Sequence, residues 1–145
     1  MINILSGIDS TSAALNAERI RMDVISQNIA NANVTRGPDG RPFQRQQVIF
    51  ETVLSAQQQA SGLPGEQPRS VQVARIESDS RPPRLVHNPA HPDSDPATGM
   101  VALPDISVFE EMADYIASSR AFEANLAVVK NARAMALQTL TIGKR

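Results

Sequence analysis

The stretch "VISQNIANANVTRGPDGRPF", residues Val24 to Phe43, joins two different kinds of chain. Its first half is apolar at helical spacing, with Val24, Ile25 and Ile29 on adjoining rows. The same half carries Gln27, Asn28, Asn31 and Asn33, with only the small Ala30 and Ala32 among the last of them. Asn is a poor helix former because its amide competes for nearby backbone groups. The helix must then stop, since Gly37-Pro38-Asp39-Gly40 is a turn signal. Working upstream, Ser6 to Ala32 reads as one helix. Ile8, Leu15, Met22 and Ile29 recur every seven residues, as along a coiled-coil seam. Ile4, Ile25 and Ala32 share a companion row that Thr11 and Glu18 interrupt. A second stripe runs through Ala13, Ala17, Ile20 and Val24. A helix with two apolar faces needs partners on both sides.

Downstream of the turn the composition changes. All 10 prolines lie between Asn33 and Pro104, so helices are excluded from most of that region. "RPFQRQQVIFETVL" is strand-prone around Val48, Ile49 and Phe50. In "RSVQVARIE" Val71 and Val73 alternate with polar residues, the pattern of a half-buried strand. "SAQQQASGLPGEQP" between them reads as a loop or long hairpin tip, Gln57 to Gln59 included. "RPPRLV" and "GMVAL" predict two shorter strands, joined through "HNPAHPDSDPATG".

A second long helix is predicted from Ser107 to Ile142. Ser107 and Glu110 have capping-box spacing. Asp105, Glu110, Glu111 and Asp114 come early, and Arg120, Lys130, Arg133, Lys144 and Arg145 come late, an order that complements the helix dipole. Gly143 is placed to end it. Val108, Tyr115, Phe122, Val129 and Ala136 repeat by sevens. Met112, Leu126 and Leu140 make most of another row, broken by Ser119 and Arg133. The expected fold is therefore mainly α with a small β-rich insertion. Terminal segments 1–33 and 106–145 pair, antiparallel or crossing, as a coiled-coil-like core domain, and 34–105 forms a Pro/Gly-rich β and loop middle region. Two helices alone bury too little to be stable, so the pattern calls for neighbouring copies.

Composition narrows the function. The chain has 145 residues, 41% of them hydrophobic but only 3% aromatic. That fits helix packing by Leu, Ile, Val, Met and Ala better than an enzyme core. A net charge of −1 with no basic patch argues against a nucleic-acid partner. No apolar run approaches a membrane span, so no membrane insertion is expected. "MINILSGIDS" lacks the basic and apolar regions of a cleaved signal peptide. Cys is absent, which removes disulfides and Cys-ligated metals.

No sequence pattern for catalysis emerges. There is no phosphate-binding Gly-rich loop, no HExxH and no GxSxG, so no catalytic residue, cofactor or metal is assigned. His87, His91, Asp93 and Asp95 have side chains that bind Zn²⁺ or Ca²⁺ elsewhere. Here Pro89, Pro92 and Pro96 keep them off a shared helical face, and a solvated turn is the simpler reading. Asn33-Val34-Thr35 is a glycosylation sequon short enough to occur by chance. Glu18 and Glu123 read as salt-bridge partners of Arg19, Arg21 or Arg120 rather than as a catalytic pair.

The Asn cluster remains. Fraying at a helix end accounts for Asn33 but not for Asn28 and Asn31, which sit beside Ile25, Ile29 and Ala32. An Asn amide both donates and accepts, and a buried Asn in a seam fixes register. The residues expected at an assembly interface are Ile8, Leu15, Met22, Ile25, Asn28, Ile29, Asn31 and Asn33 on the first helix. On the second they are Met112, Phe122, Asn125, Leu126, Val129, Leu137 and Leu140.

"ALNAERIRMDVISQNIANANVTRGPDGRPFQRQQVIF" resembles the N-terminal signature of bacterial flagellar rod and hook proteins, in which Asn-Ile-Ala-Asn-Ala-Asn closes a helix. "NPAHPDSDPATGMVALPDI", "SSRAFEANLAVVKNARAMALQTLTIGK" and the chain length match as well, most closely for proximal-rod members. Phe43, Met100 and Phe122 stand where that family often has Tyr, and the Gln57–Pro68 loop is variable in it. The resemblance implies a structural subunit that pairs its terminal helices around an axial channel. It implies export by the flagellar type III apparatus without signal cleavage. It also implies partners among copies of itself, other rod proteins and the FliE-type junction at the export gate. A helical adaptor or chaperone of a secretion system is the alternative that the two terminal helices leave open.

Overall fold

The structure, a computed structural model, describes residues 4–54 and 69–142. Two long helices flank four strands. Helix α1 spans Ile4–Ala30 and α2 spans Val108–Ile142, with β1 (Gln46–Leu54), β2 (Arg69–Ser78), β3 (Arg84–His87) and β4 (Met100–Leu103) between them. At 1.5 Å per residue the helices are about 40 and 50 Å long. The loop expected between the first two strands, the Gly143 cap, Lys144 and Arg145 lie outside the described residues, as does the side chain of Ile4.

Helix α1 closes locally. The Asn31 amide N–H donates to the Gln27 carbonyl at 3.0 Å, and turns follow through Ala32 and Val34. The Gly37–Gly40 turn forms as its sequence predicts. The Gly40 N–H donates to the Gly37 carbonyl at 3.0 Å, and that of Gly37 to the Arg41 carbonyl at 2.8 Å. Gly40 has φ +71°, a left-handed value that an L side chain adopts only at a cost. At the other end Ser107 is the residue before α2, and its carbonyl accepts the Glu111 N–H at 3.0 Å. The reciprocal Glu110 bond of a capping box is not among the hydrogen bonds of the described residues. Glu110 is exposed to solvent instead.

The strands form two separate antiparallel pairs, β1 with β2 and β3 with β4. The first is a long hairpin with a bulge. Ile49 faces Arg75 and Phe50 faces Val73, so Ala74 has no partner on β1 and forms the bulge. That extra residue has a packing consequence. In an unbroken strand Val73 and Ile76 point to opposite faces. With Ala74 inserted, Val48 faces Ile76, Phe50 faces Val73 and Thr52 faces Val71, which puts Val71, Val73 and Ile76 on the same side as Val48 and Phe50. Both strands of the hairpin lie against α1, which also packs on α2.

The core is small. Among the described residues Ala17, Val24, Ile25, Ala32 and Val101 are its buried apolar members. On α1 the buried positions belong to the second stripe (Ala17, Val24) and the companion row (Ile25, Ala32), while Ile8, Leu15, Met22 and Ile29 are only partly buried. On α2 the row Val108, Phe122, Val129 and Ala136 is partly buried, as expected, although Tyr115 within it is exposed. Its neighbour on the covered face is Glu111, Ser118, Asn125 and Ala132, while of the row of Met112, Leu126 and Leu140 only Leu126 is partly buried. Met112 and Leu140 are 50% and 66% exposed. The covered row is small or polar, and α1 meets its first member, Glu111, through Asn28.

Candidate assembly surface and its polar clamp

Three polar side chains meet where the end of α1, the start of β1 and the first turn of α2 come together. Asn28 and Glu111 are each only 1% exposed. The Asn28 carboxamide is used on both ends. Its Oδ1 accepts the Gln46 N–H at 2.9 Å, and its Nδ2 donates to the Gln46 carbonyl and to Glu111 Oε2, both at 2.9 Å. Arg45 completes the group. Its Nε and Nη2 each approach Glu111 Oε1 at 2.6 Å, and Nη2 lies 4.0 Å from Asp114 Oδ2. The Asn28 and Glu111 side chains are thus both partnered, as burial demands. The two backbone bonds from Asn28 continue the pairing that β1 begins, so a helix side chain stands in for a strand at that point.

A second set of contacts ties the base of the hairpin together. The Asp79 N–H donates to the Arg45 carbonyl at 2.7 Å. Asp79 accepts from the Arg81 side chain at 2.7 Å and from its N–H at 3.1 Å. Arg81 reaches on to Asp105 Oδ2 at 3.2 Å. The Arg81 side-chain bond, reinforced by the Arg81 amide and the cationic charge, lowers the Asp79 carboxyl below the ordinary value. Two Arg–carboxylate links thus connect the hairpin base to the entrance of α2, one buried and one exposed.

The three asparagines of the cluster separate. Asn28 bridges elements, as its place beside Ile25 and Ile29 predicts. Asn31 does so neither to the strands nor to α2. Its Nδ2 turns back to the Gln27 carbonyl at 2.8 Å, the same carbonyl that accepts the Asn31 N–H, so the side chain bonds within its own helix. Asn33 is exposed. Glu111 and Arg45 were not singled out by sequence. Glu111 reads as one of several first-turn acids suited to the dipole. The available signal was its seven-residue spacing to Ser118, Asn125 and Ala132, a polar and small row running beside an apolar one.

The His87–Asp95 segment is a set of turns. His87 sits over Gly99, whose φ is +66° and where an added Cβ would lie 2.9 Å from His87 Cε1. His91 Nδ1 accepts the Asp93 N–H at 3.1 Å. Asp93 accepts the Thr35 hydroxyl at 2.8 Å and lies 3.6 Å from Arg36. Asp95 accepts from the Thr98 hydroxyl at 2.7 Å and the Ala97 N–H at 3.1 Å, which lowers its carboxyl below the ordinary value. His91, Asp93 and Asp95 thus each serve a turn, and no group of three His, Asp or Glu among the described residues is arranged to hold a metal ion.

The outer surface of α2 is apolar over much of its length. Phe109 is 87% exposed, and Met112, Ile116, Val128, Met135, Leu137, Leu140 and Ile142 are each exposed by half or more. Phe122, Asn125, Leu126 and Val129 are partly buried. Neither helix is long and apolar enough to cross a membrane. An apolar surface of this kind on a folded chain marks a place where other protein packs.

Comparison with known proteins agrees with a helical assembly subunit. Residues 8–38 match the family described as Flagella basal body rod protein, and residues 97–142 match the one described as Flagellar basal body rod FlgEFG protein C-terminal. The chain belongs to the flagellar basal-body rod proteins. Relatives over nearly the full length are called flagellar basal-body rod protein FlgC. The one from Borreliella burgdorferi is 40% identical over 97% of this chain and 98% of its own. That of Salmonella typhimurium is 35% identical over 97% and 98%, and that of Bacillus subtilis 33% over 94% and 96%. The chain is accordingly a structural subunit of the flagellar basal-body rod that assembles with other rod components.

Proposed function

We propose that this subunit belongs to the proximal rod and polymerises axially through its terminal helices. Segments 1–33 and 106–145 act as one core domain, coiled-coil-like in the assembled state, with 34–105 as an outer β region. In the rod the helices line the export channel and transmit torque along the shaft. The subunit reaches its place in the periplasm-spanning rod through the type III export apparatus, with no signal peptide removed. It meets copies of itself, other rod proteins and the FliE-type junction, and it catalyses no reaction.

The observation that carries this reading is the set of apolar side chains that α2 leaves exposed, from Phe109 to Ile142. A lone chain leaves those side chains in water, whereas each apolar side chain fully buried by a neighbour gains about 1.5–3 kcal/mol. The expected interface residues divide accordingly. Met112, Leu137 and Leu140 are free to meet a neighbouring subunit. Ile8, Leu15, Met22, Ile29, Phe122, Leu126 and Val129 are partly covered and have surface left to bury. Ile25 and Asn28 act from inside, by holding the helix pair in shape. The test is cryo-electron microscopy of purified basal bodies. Density for this chain is expected at the export-gate end of the rod, with both helices inward. Its absence from the rod, or an orientation with the β region against the channel, would overturn the reading.

A further inference from the structure

The hairpin of β1 and β2 is a lever. Strand β1 has 9 residues. At about 3.3 Å each they extend roughly 30 Å from the base of the hairpin. Its apolar face lies on α1, but that contact is half open. Phe50, Val71 and Ile76 are all still exposed to solvent. Apolar contact is non-directional and does not by itself select an angle. Hydrogen bonds are directional, and those reaching the base of the hairpin from both helices are the ones that Asn28, Glu111 and Arg45 make there. They fix consecutive residues, Arg45 and Gln46, against two helices at once. A rotation of about 10° at that base would carry the far end of a strand of about 30 Å by about 5 Å.

We propose that Glu111 and Arg45 are positioning residues that set the angle of the hairpin on the helix pair, with Asn28 as the pivot. On this view the buried charge is retained for orientation rather than for stability. A buried ion pair is commonly no more stabilising than apolar side chains of similar volume, so the two roles separate experimentally. The consequence for assembly rests on the rod reading above: a subunit whose outer β region is mis-set does not fit its neighbours.

The chain has no Cys, so two introduced cysteines take spin labels cleanly. Gln72→Cys on β2 and Ala117→Cys on α2 are both exposed positions. Distances between the labels are measured by double electron–electron resonance in the full chain. The unaltered clamp is expected to give one narrow distribution. E111L/R45M is expected to keep its thermal midpoint within a few degrees while the distribution shifts or broadens by about 3 Å, the same rotation acting at Gln72, which faces Glu51 about half-way along the strand. E111Q, which keeps an acceptor for Asn28 and loses the charge for Arg45, is expected to broaden less. An unchanged distribution in a folded E111L/R45M chain overturns the proposal. Should that variant not fold, an unchanged distribution in E111Q overturns it equally. Because these distances are read on the free chain, a negative result leaves the place of the subunit in the rod, tested on basal bodies, unaffected.

Discussion

Replacing Arg45 by Ala tests how much the clamp contributes. The Arg45 side chain is 22% exposed and Glu111 1%. The substitution therefore strands a carboxylate that water hardly reaches. Removing one partner of a buried ion pair costs about 3–5 kcal/mol. The partial exposure of Arg45 and its distance from Asp114 put this case toward the lower end, about 3 kcal/mol by the same measure. Small domains are stable by about 5–15 kcal/mol, and this one, with so few buried apolar residues, belongs at the bottom of that range. With a urea dependence of about 2 kcal/mol per molar, the midpoint should fall by about 1.5 M. Far-ultraviolet circular dichroism during urea unfolding of the full chain reads it. The effect should be non-additive. Glu111→Gln added to Arg45→Ala should recover part of the loss, because the stranded charge is gone. A loss below about 1 kcal/mol, the worth of an exposed ion pair, would refute the reasoning and mean that Glu111 finds other solvation.

Four further outcomes follow from particular residues. Asn28→Leu leaves the Gln46 N–H and carbonyl without partners at about 1–3 kcal/mol each, whereas Asn31→Leu should be nearly neutral; thermal unfolding of the two single variants separates them, and equal losses would contradict the different roles given to them. Amide hydrogen exchange in the free chain should be slow around Asn28 and Glu111 and faster toward Ile8 and Leu140, where packing thins; uniform protection along both helices would count against it. Gly99→Ala forces an L residue into a left-handed φ beside His87 and should cost at least about 1–2 kcal/mol, read as a lowered thermal midpoint. Asp79 and Asp95 have depressed carboxyl pKa values, so the turn stability they contribute is present above the ordinary value of 3.8 and is lost as the pH falls through their lower values; NMR titration of the Arg81 and Ala97 amides should place both transitions below that of a free carboxyl.

The sequence determined the architecture by local means. Seven-residue apolar repeats are enough to specify two long helices, and 10 prolines between Asn33 and Pro104 are enough to keep the middle of the chain out of them. Gly37 to Gly40 fixes a turn because Pro and Gly restrict or free φ whatever surrounds them. The strands of the middle region could be placed from short strand-prone runs and, around Val71 and Val73, from alternation, and the flagellar resemblance from motifs at both ends. What the sequence left undecided concerns which face of each helix goes inward. Both helices carry more than one apolar row, so periodicity offers several seams and chooses none. The tertiary structure chose the row of Glu111, Ser118, Asn125 and Ala132 for the covered side of α2 and left Met112 and Leu140 outside. It also turned Asn31 back onto its own helix while sending Asn28 to Gln46 and Glu111. Those outcomes depend on residues 83 and 18 positions apart in the chain. A periodic pattern records the spacing of neighbours along one helix, and it holds no record of which distant groups will meet when that helix is packed.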